Sequence, residues 1–172
     1  GRLTQNKGVH LAIQTAQITG LPLKIAGNIS DEPGGREYFE TQVKPHLSDR
    51  IEWIGPVNDA QKVNFLGNAT ALLFPIQWRE PFGIVMAEAL SCGTPVIGMR
   101  QGSVPEVIRD GVTGFVCDSA EALVAAVQRI DQIDRAVCRA ECECRFSHPR
   151  MVTDYLRVYD QFPAIAAHYV QG

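Results

Sequence analysis

Two glutamates stand eight positions apart in the segment 80–90, which reads EPFGIVMAEAL. Glu80 precedes Pro81 and Gly83, a pair that marks a turn opening a helix, and Glu88 falls about a turn and a half inside that helix. The N-terminus of a helix presents unpaired backbone N–H groups to an oxygen-rich ligand. The segment therefore predicts a site in which two carboxylates face one cleft at different depths.

A structural explanation of these glutamates is also open, in which Glu80 caps the helix and Glu88 is a solvated surface charge. Glu88, however, is flanked on both sides by apolar residues of the same segment. A charge in apolar surroundings is costly unless it has hydrogen-bond partners, and ribose hydroxyl groups are suitable donors. The neighbours of Glu88 thus favour a binding carboxylate.

Short apolar runs alternate with helical patterns along the chain, which is typical of an α/β protein with a parallel sheet. The runs are continuous, so we expect helices on both faces of the sheet. The fold class predicted is a Rossmann-like, doubly wound parallel sheet, and segment 80–90 follows a predicted strand at the place where such sheets bind ligands. The predicted strands are Leu23–Ala26, 51–54, 71–74, 95–98 and Gly114–Cys117.

The helices that surround these strands also have sequence signals. Asn6 is expected to cap a helix over 7–19 whose apolar stripe includes Ile13 and Ala16, and Gly20 is expected to end it. Further helices are predicted over 37–43, 59–66, 83–90, 105–109, 120–131, 133–145 and 149–159. Residues 1–172 thus form one predicted domain, with trailing helices from about residue 133.

The first residues suggest an upstream region. A doubly wound domain opens with a strand that leads into its first phosphate-binding turn. Residues 1–3 (GRL) already resemble that turn. We therefore expect the first strand and a preceding domain to lie upstream of this sequence.

Composition limits the classes of partner. The chain has 172 residues, of which 45% are hydrophobic and 20% are charged, as in ordinary globular proteins. A net charge of −3 provides no cationic field, which argues against nucleic acid as a partner. Neither a membrane span nor a signal peptide is recognisable, so we expect a cytoplasmic location.

The five cysteines are interpreted as reduced thiols. On a helix Cys138 and Cys142 share a face, whereas Cys144 points elsewhere and no histidine lies at ligand spacing. Packing thiols are therefore favoured over a metal site.

The motifs together resemble a known family. Segment 80–90 has an E-x7-E pattern, and it occurs in order with GRL at 1–3, Lys7-Gly8, GSVPEVI at 102–108 and GVTGF at 111–115. Phe146-Ser147 completes the series, and the resemblance runs from Gly1 to about Tyr159. The set is similar to the donor-binding, C-terminal domain of retaining GT-B glycosyltransferases of the GT4 type, which include glycogen and sucrose-phosphate synthases.

The resemblance implies a role for each site residue. Arg2 and Lys7 correspond to the basic pair that holds the donor diphosphate, and both residue types suit phosphate. Glu88 corresponds to the ribose acceptor. The remaining candidates have three implied roles. Four line the transferred sugar, namely Glu80, Phe82, Gly83 and Ile84. Gly1, Gly27 and Asn28 close the neighbouring strand or turn, and Trp53 and Ile54 belong to the segment that reads the base edge. Trp53 could equally be a core aromatic residue.

The function implied is retaining transfer of a sugar from a nucleoside-diphosphate (NDP) sugar to an acceptor hydroxyl, in glycan or polysaccharide biosynthesis. Arg2, Lys7 and Glu80 are the implied catalytic residues. No metal or other cofactor is implied, because the basic pair replaces a metal, and no Asp-x-Asp motif occurs. The acceptor domain, with any membrane contact, belongs to the expected upstream region, so the chain alone is expected to be inactive. The alternatives are another GT-B enzyme, such as a nucleotide-sugar 2-epimerase or a phosphorylase, and a nucleotide-binding module without catalysis.

Overall fold

Five short strands form the sheets of the protein, and all of their pairings are parallel; the computed structural model describes residues 1–160. The strands are β1 (Leu23–Ala26), β2 (Ile51–Gly55), β3 (Leu72–Phe74), β4 (Val96–Met99) and β5 (Gly114–Cys117). Each begins and ends within one residue of its predicted bounds. The α/β class with parallel strands is therefore confirmed.

The strands fall into two groups within residues 1–160. β1 pairs with β2, whereas β3, β4 and β5 pair in that order. The first residues of the chain lie beside the end of β1, because Leu3 forms an isolated parallel bridge with Ile29 and its N–H donates to the carbonyl of Asn28 at 2.9 Å. Residues 1–3 thus lie at the carboxyl end of β1, beside the turn that follows it.

Helices occupy most of the chain between and after the strands. The α-helices are α1 (Val9–Thr19), α2 (Gly35–Tyr38), α3 (Asp59–Gly67), α4 (Ile84–Ser91), α5 (Val104–Val107), α6 (Ala120–Val127), α7 (Arg135–Phe146) and α8 (His148–Asp160). A π-helical turn (Phe39–Val43) continues α2, and 3-10 turns lie at Gln5–Lys7, Lys44–His46 and Ile130–Gln132.

The predicted N-cap of α1 was wrong. Asn6 lies in the preceding 3-10 turn, and Gly8, at φ 68°, occupies the cap position without a side-chain hydrogen bond. A Cβ atom at Gly8 would lie 1.9 Å from the carbonyl oxygen of Pro75, so the loop after β3 leaves space only for glycine. The predicted end of the helix is confirmed, since Gly20 caps it at φ 69°.

Other helices also differ from their predicted bounds, and α2, α5 and α6 show the causes. Instead of one helix over 37–43, α2 begins at Gly35 and changes to the π-helical turn at Phe39. α5 ends at Val107 because the next residue is extended, and α6 ends at Val127. The separate turn Ile130–Gln132 follows α6, and it places the side chain of Ile130 in the core.

Two hydrophobic clusters correspond to the two groups of strands. The larger surrounds β3, β4 and β5 and includes the buried thiols of Cys138 and Cys142, whereas Cys144 is exposed. Every residue of β5 is buried, which requires cover on both faces of that sheet, as its sequence predicted. The smaller cluster packs α1 and the π-helical turn against β1 and β2.

Candidate functional site

Lys7 and Glu80 form an ion pair at the carboxyl end of β3. The Nζ atom of Lys7 lies 2.5 Å from Oε2 of Glu80, and both side chains are largely buried. The same carboxylate oxygen accepts a hydrogen bond from Nε1 of Trp78 at 2.9 Å. The Lys7 ammonium also lies 5.2 Å from the centre of the Trp78 ring, within the range of a cation–π contact.

A cavity of about 390 Å³ opens beside this ion pair at the start of α4. Its lining residues are Lys7, Phe74, Glu80, Pro81, Phe82, Gly83, Ile84 and Val85. The predicted catalytic pair Lys7 and Glu80 and the three predicted sugar-binding residues Phe82, Gly83 and Ile84 therefore share one cavity.

The backbone at the head of α4 is arranged to meet a ligand. Gly83 is the N-cap at φ 72°, so its conformation favours glycine. Within residues 1–160, the N–H groups of Phe82 and Gly83 have no hydrogen-bond acceptor. Ser103 fixes the turn, since its hydroxyl donates to the carbonyl of Phe82 at 2.8 Å and its N–H to the carbonyl of Glu80 at 3.0 Å. The turn thus has two backbone N–H donors, free within the described residues, in the lining of the cavity, and hydrogen bonds from Ser103 hold its conformation.

Glu88 is paired with a lysine that the sequence interpretation missed. Oε1 of Glu88 accepts a hydrogen bond from Nζ of Lys62 at 2.8 Å, and the same ammonium donates to Asp59 at 3.1 Å. Both bonds raise the pKa of Lys62 above its ordinary value, and the bond to Glu88 has the larger effect. Apolar residues flank Glu88 in the sequence, but its side chain is 33% exposed and its carboxylate has this cation as a partner. A lysine within α3 carries no sequence signal for a contact with α4.

Arg2 lies apart from the cavity and pairs with Glu32 on the surface. Both side chains are more than half exposed. Such an exposed pair contributes little to stability, so its partners can separate when a stronger anion arrives. The structure therefore brings Lys7, but not Arg2, into direct contact with Glu80.

Gly1 and Gly27 approach each other closely at the end of β1. The Gly1 nitrogen donates to the carbonyl of Ala26 at 3.2 Å, and a Cβ atom at Gly27 would lie 1.7 Å from the Gly1 oxygen. Glycine at position 27 thus allows the two backbone segments to pack directly against each other at the end of β1.

The Trp53 side chain packs against the smaller hydrophobic cluster, which is the core role that its sequence left open. Its Nε1 donates to the carbonyl of Gly27 at 2.8 Å, and its ring packs on Phe39 with centroids 4.7 Å apart. Ile54, beside it in β2, is 41% exposed. Asn28 is exposed in the turn after β1. Trp53 and Ile54 therefore lie in β2, and Asn28 lies in the turn that follows β1.

Two further features concern metals and membranes. In the described part of the chain, no three His, Cys, Asp or Glu side chains are grouped as metal ligands. No helix there combines the length and apolar character that crossing a bilayer requires.

Two buried thiols have shifted pKa values. Burial raises the pKa of the Cys117 and Cys138 thiols to about 11.

The parallel α/β architecture, with a cavity at the carboxyl end of β3, places the chain in the Rossmann-like class of protein. Within that class the chain belongs to the family described as "Glycosyl transferases group 1", whose model matches residues 1–136.

Individual relatives agree with this assignment. The chain is 30% identical to D-inositol 3-phosphate glycosyltransferase of Mycolicibacterium smegmatis over 94% of its length and 39% of that protein. It resembles the structure of sucrose-phosphate synthase from Thermosynechococcus elongatus with a TM-score of 0.77 and 25% identity, covering 96% of this chain and 44% of that one. Anabaena HepE in complex with UDP-glucose shares the fold, with a TM-score of 0.75, 20% identity and coverage of 94% and 47%. The chain therefore spans less than half the length of these proteins.

Proposed function

We propose that the chain is the donor-binding part of a retaining glycosyltransferase and holds an NDP-sugar at the carboxyl ends of its strands. The observation that carries this proposal is the cavity at the head of α4, in which Lys7 and Glu80 lie 2.5 Å apart beside the free amides of Phe82 and Gly83. Cations and amides there suit phosphate and sugar oxygens, and a carboxylate suits hydroxyl groups.

The proposed roles follow the position of each group along the cleft. Glu80 and the amides at the head of α4 receive the sugar, and Lys7 lies at the entrance for the diphosphate. Arg2 exchanges Glu32 for phosphate oxygens when a donor binds. Glu88, held by Lys62, accepts hydrogen bonds from the ribose.

The base is proposed to bind at the end of β2. Trp53 and Ile54 flank it, and the close turn formed by Gly1, Gly27 and Asn28 supports the nucleoside from the neighbouring strand. The exposed face of Ile54 offers apolar contact there, since 41% of the residue is accessible.

The proposed chemistry is transfer with retention of anomeric configuration. The bond from the anomeric carbon to the diphosphate breaks, the acceptor oxygen bonds to that carbon on the same face, and the leaving diphosphate takes the acceptor proton. Lys7 and Arg2 stabilise the charge that develops on the diphosphate. Glu80 and Glu88 then act as binding groups and not as an acid and nucleophile pair of the hydrolytic kind.

The acceptor is proposed to be placed by a separate domain. The chain spans 39% of the mycobacterial relative and 44% of the synthase structure. Without an opposite wall nothing orients an acceptor hydroxyl, and orientation contributes about 7–11 kcal/mol in well-placed reactions. We therefore propose that the isolated chain binds donor without transferring sugar to an acceptor.

Titration calorimetry tests the donor site, with UDP, GDP, ADP and their sugars as ligands. Glu88→Ala should weaken the best ligand about ten- to hundredfold, since hydrogen bonds to a charged group contribute about 1.5–3 kcal/mol. Glu37→Ala is the matched control, because Glu37 is an exposed helical glutamate with no ion pair among residues 1–160. The proposal fails if the parent binds none of the ligands, or if both variants bind as the parent does.

A further inference from the structure

Trp78 is a largely accessible aromatic residue inside the candidate site. It stands in the loop after β3 and is 40% exposed, whereas the side chain of Glu80 is only 14% exposed. Burial in the core therefore does not account for the position of the indole ring. Its recorded polar contact is the 2.9 Å hydrogen bond from Nε1 to Oε2 of Glu80.

The contacts of Glu80 are distributed unevenly between its two oxygens. Oε2 accepts both from Trp78, at 2.9 Å, and from Lys7, at 2.5 Å. Oε1 has no hydrogen-bond donor in the part of the chain that the structure describes. The carboxylate is thus fixed through one oxygen, and the other is left to accept from a ligand.

The two donors to Oε2 differ in chemistry. Lys7 carries a charge that a diphosphate also attracts, so its bond to Glu80 can weaken when a ligand binds. The indole N–H of Trp78 only donates and is neutral, so phosphate does not compete for it electrostatically. Trp78 is therefore the donor that can keep Glu80 in place in the liganded site.

We propose that Trp78 is a positioning residue, which holds the Glu80 carboxylate so that Oε1 accepts a hydroxyl group of the transferred sugar. This inference rests on the proposed donor site. Without the indole N–H, the carboxylate rotates more freely, because the terminal torsion of glutamate has broad minima. The sugar then loses a fixed acceptor, whereas the nucleotide keeps Glu88 and the cations.

The test compares each NDP-sugar with its own nucleoside diphosphate by calorimetry on the full chain. The probes are UDP with UDP-glucose, GDP with GDP-mannose and ADP with ADP-glucose, and the pair that binds the parent is used. Trp78→Phe keeps an aromatic ring under Lys7 but removes the N–H donor. We expect this variant to bind the NDP-sugar about tenfold more weakly, as for loss of a bond to a charged acceptor, and the diphosphate within about twofold of the parent.

Two further variants separate positioning from other roles. In Glu80→Ala, adding Trp78→Phe should cause no further loss, because residues that act through one group are not additive. Gln77→Ala is the control in the same loop, since the Gln77 side chain makes no hydrogen bond within residues 1–160, and it should bind both ligands as the parent does. Melting temperatures check that each variant is folded.

The outcomes distinguish this inference from the donor site itself. Trp78 is not a positioning residue if Trp78→Phe is silent, if it weakens diphosphate and NDP-sugar equally, or if its loss persists in the Glu80→Ala background. If one of these results occurs while Glu80→Ala loses affinity for the NDP-sugar but not for the diphosphate, the proposed donor site stands and only the role of Trp78 fails. If Glu80→Ala has no selective effect, or no probe binds the parent, the proposed sugar site fails and this inference fails with it.

Discussion

Gly102 is the residue at which one added methyl group should displace Glu80. Gly102 has φ +53°, and a Cβ atom there would lie 2.3 Å from the carbonyl oxygen and 2.5 Å from the nitrogen of Glu80. Both atoms belong to the backbone, so no side-chain rotation relieves the overlap. Gly102→Ala therefore has two effects: strain at a left-handed residue and movement of the loop that carries Glu80.

The size of each effect can be worked from these distances. A left-handed conformation costs a residue with a Cβ atom about 1–2 kcal/mol. Carbon and carbonyl oxygen normally approach to about 3.3–3.6 Å, so the 2.3 Å contact must lengthen by about 1 Å. A displacement of about 1 Å would break the proposed hydrogen bond from the sugar to Glu80, and a hydrogen bond to a charged group contributes about 1.5–3 kcal/mol to binding. We expect Gly102→Ala to lower the affinity for an NDP-sugar by about 10- to 100-fold in addition to lowering stability.

Gly111→Ala is the matched control. Gly111 has φ +72°, but a Cβ atom there would meet nothing within 4 Å, so the variant has the strain without the overlap. Chemical denaturation should show a loss of about 1–2 kcal/mol for Gly111→Ala and a larger loss for Gly102→Ala. Calorimetry with the NDP-sugar should show a defect in Gly102→Ala alone. Equal affinity in the two variants would refute the conclusion that the Gly102 loop holds Glu80.

Three other predictions concern charge and burial. Lys62→Met should weaken nucleoside diphosphate binding about three- to tenfold in calorimetry, and should have no effect in a Glu88→Ala background, because its 2.8 Å bond acts through Glu88. In Ellman titration at pH 8, exposed Cys144 should react first and buried Cys138, whose pKa is raised to about 11, only on unfolding. Burial lowers the pKa of His10, so below about pH 6.5 the unfolded chain binds more protons than the folded chain, and stability should fall as the pH drops. His10→Gln should reduce this fall, measured as melting temperature against pH. An unchanged fall would contradict the role given to His10.

The strands were predictable from sequence because each is a short apolar run between turn residues. Their burial on both faces produces that continuous pattern, as β5 illustrates. The helix ends were less predictable. Asn6 is of a residue type that often caps helices, but α1 begins after Gly8, which packs closely against Pro75. That contact joins residues distant in sequence, so the sequence alone does not indicate it.

The candidate site was predictable in its own motif and not in its partners. Glu80 and Gly83 are close in sequence, so their shared cavity follows from one turn and one helix. The contacts from Trp78 to Glu80 and from Lys62 to Glu88 depend on how a loop and a neighbouring helix pack. Trp78 had one usable signal, an aromatic residue two positions before the acidic one in a loop at the end of a strand.

The ion pairs of Lys7 with Glu80 and of Lys62 with Glu88 match each of these cations with a carboxylate, so the unliganded site has little net positive charge. A neutral cleft attracts free anions weakly over long distances, so inorganic phosphate gains little on entering it. To separate a pair without leaving a carboxylate unsatisfied, a ligand must offer an anion to the cation and a hydroxyl group to the carboxylate. A nucleotide sugar, the ligand proposed for this site, carries both groups in one molecule, so we expect the paired charges to favour it over simple phosphates.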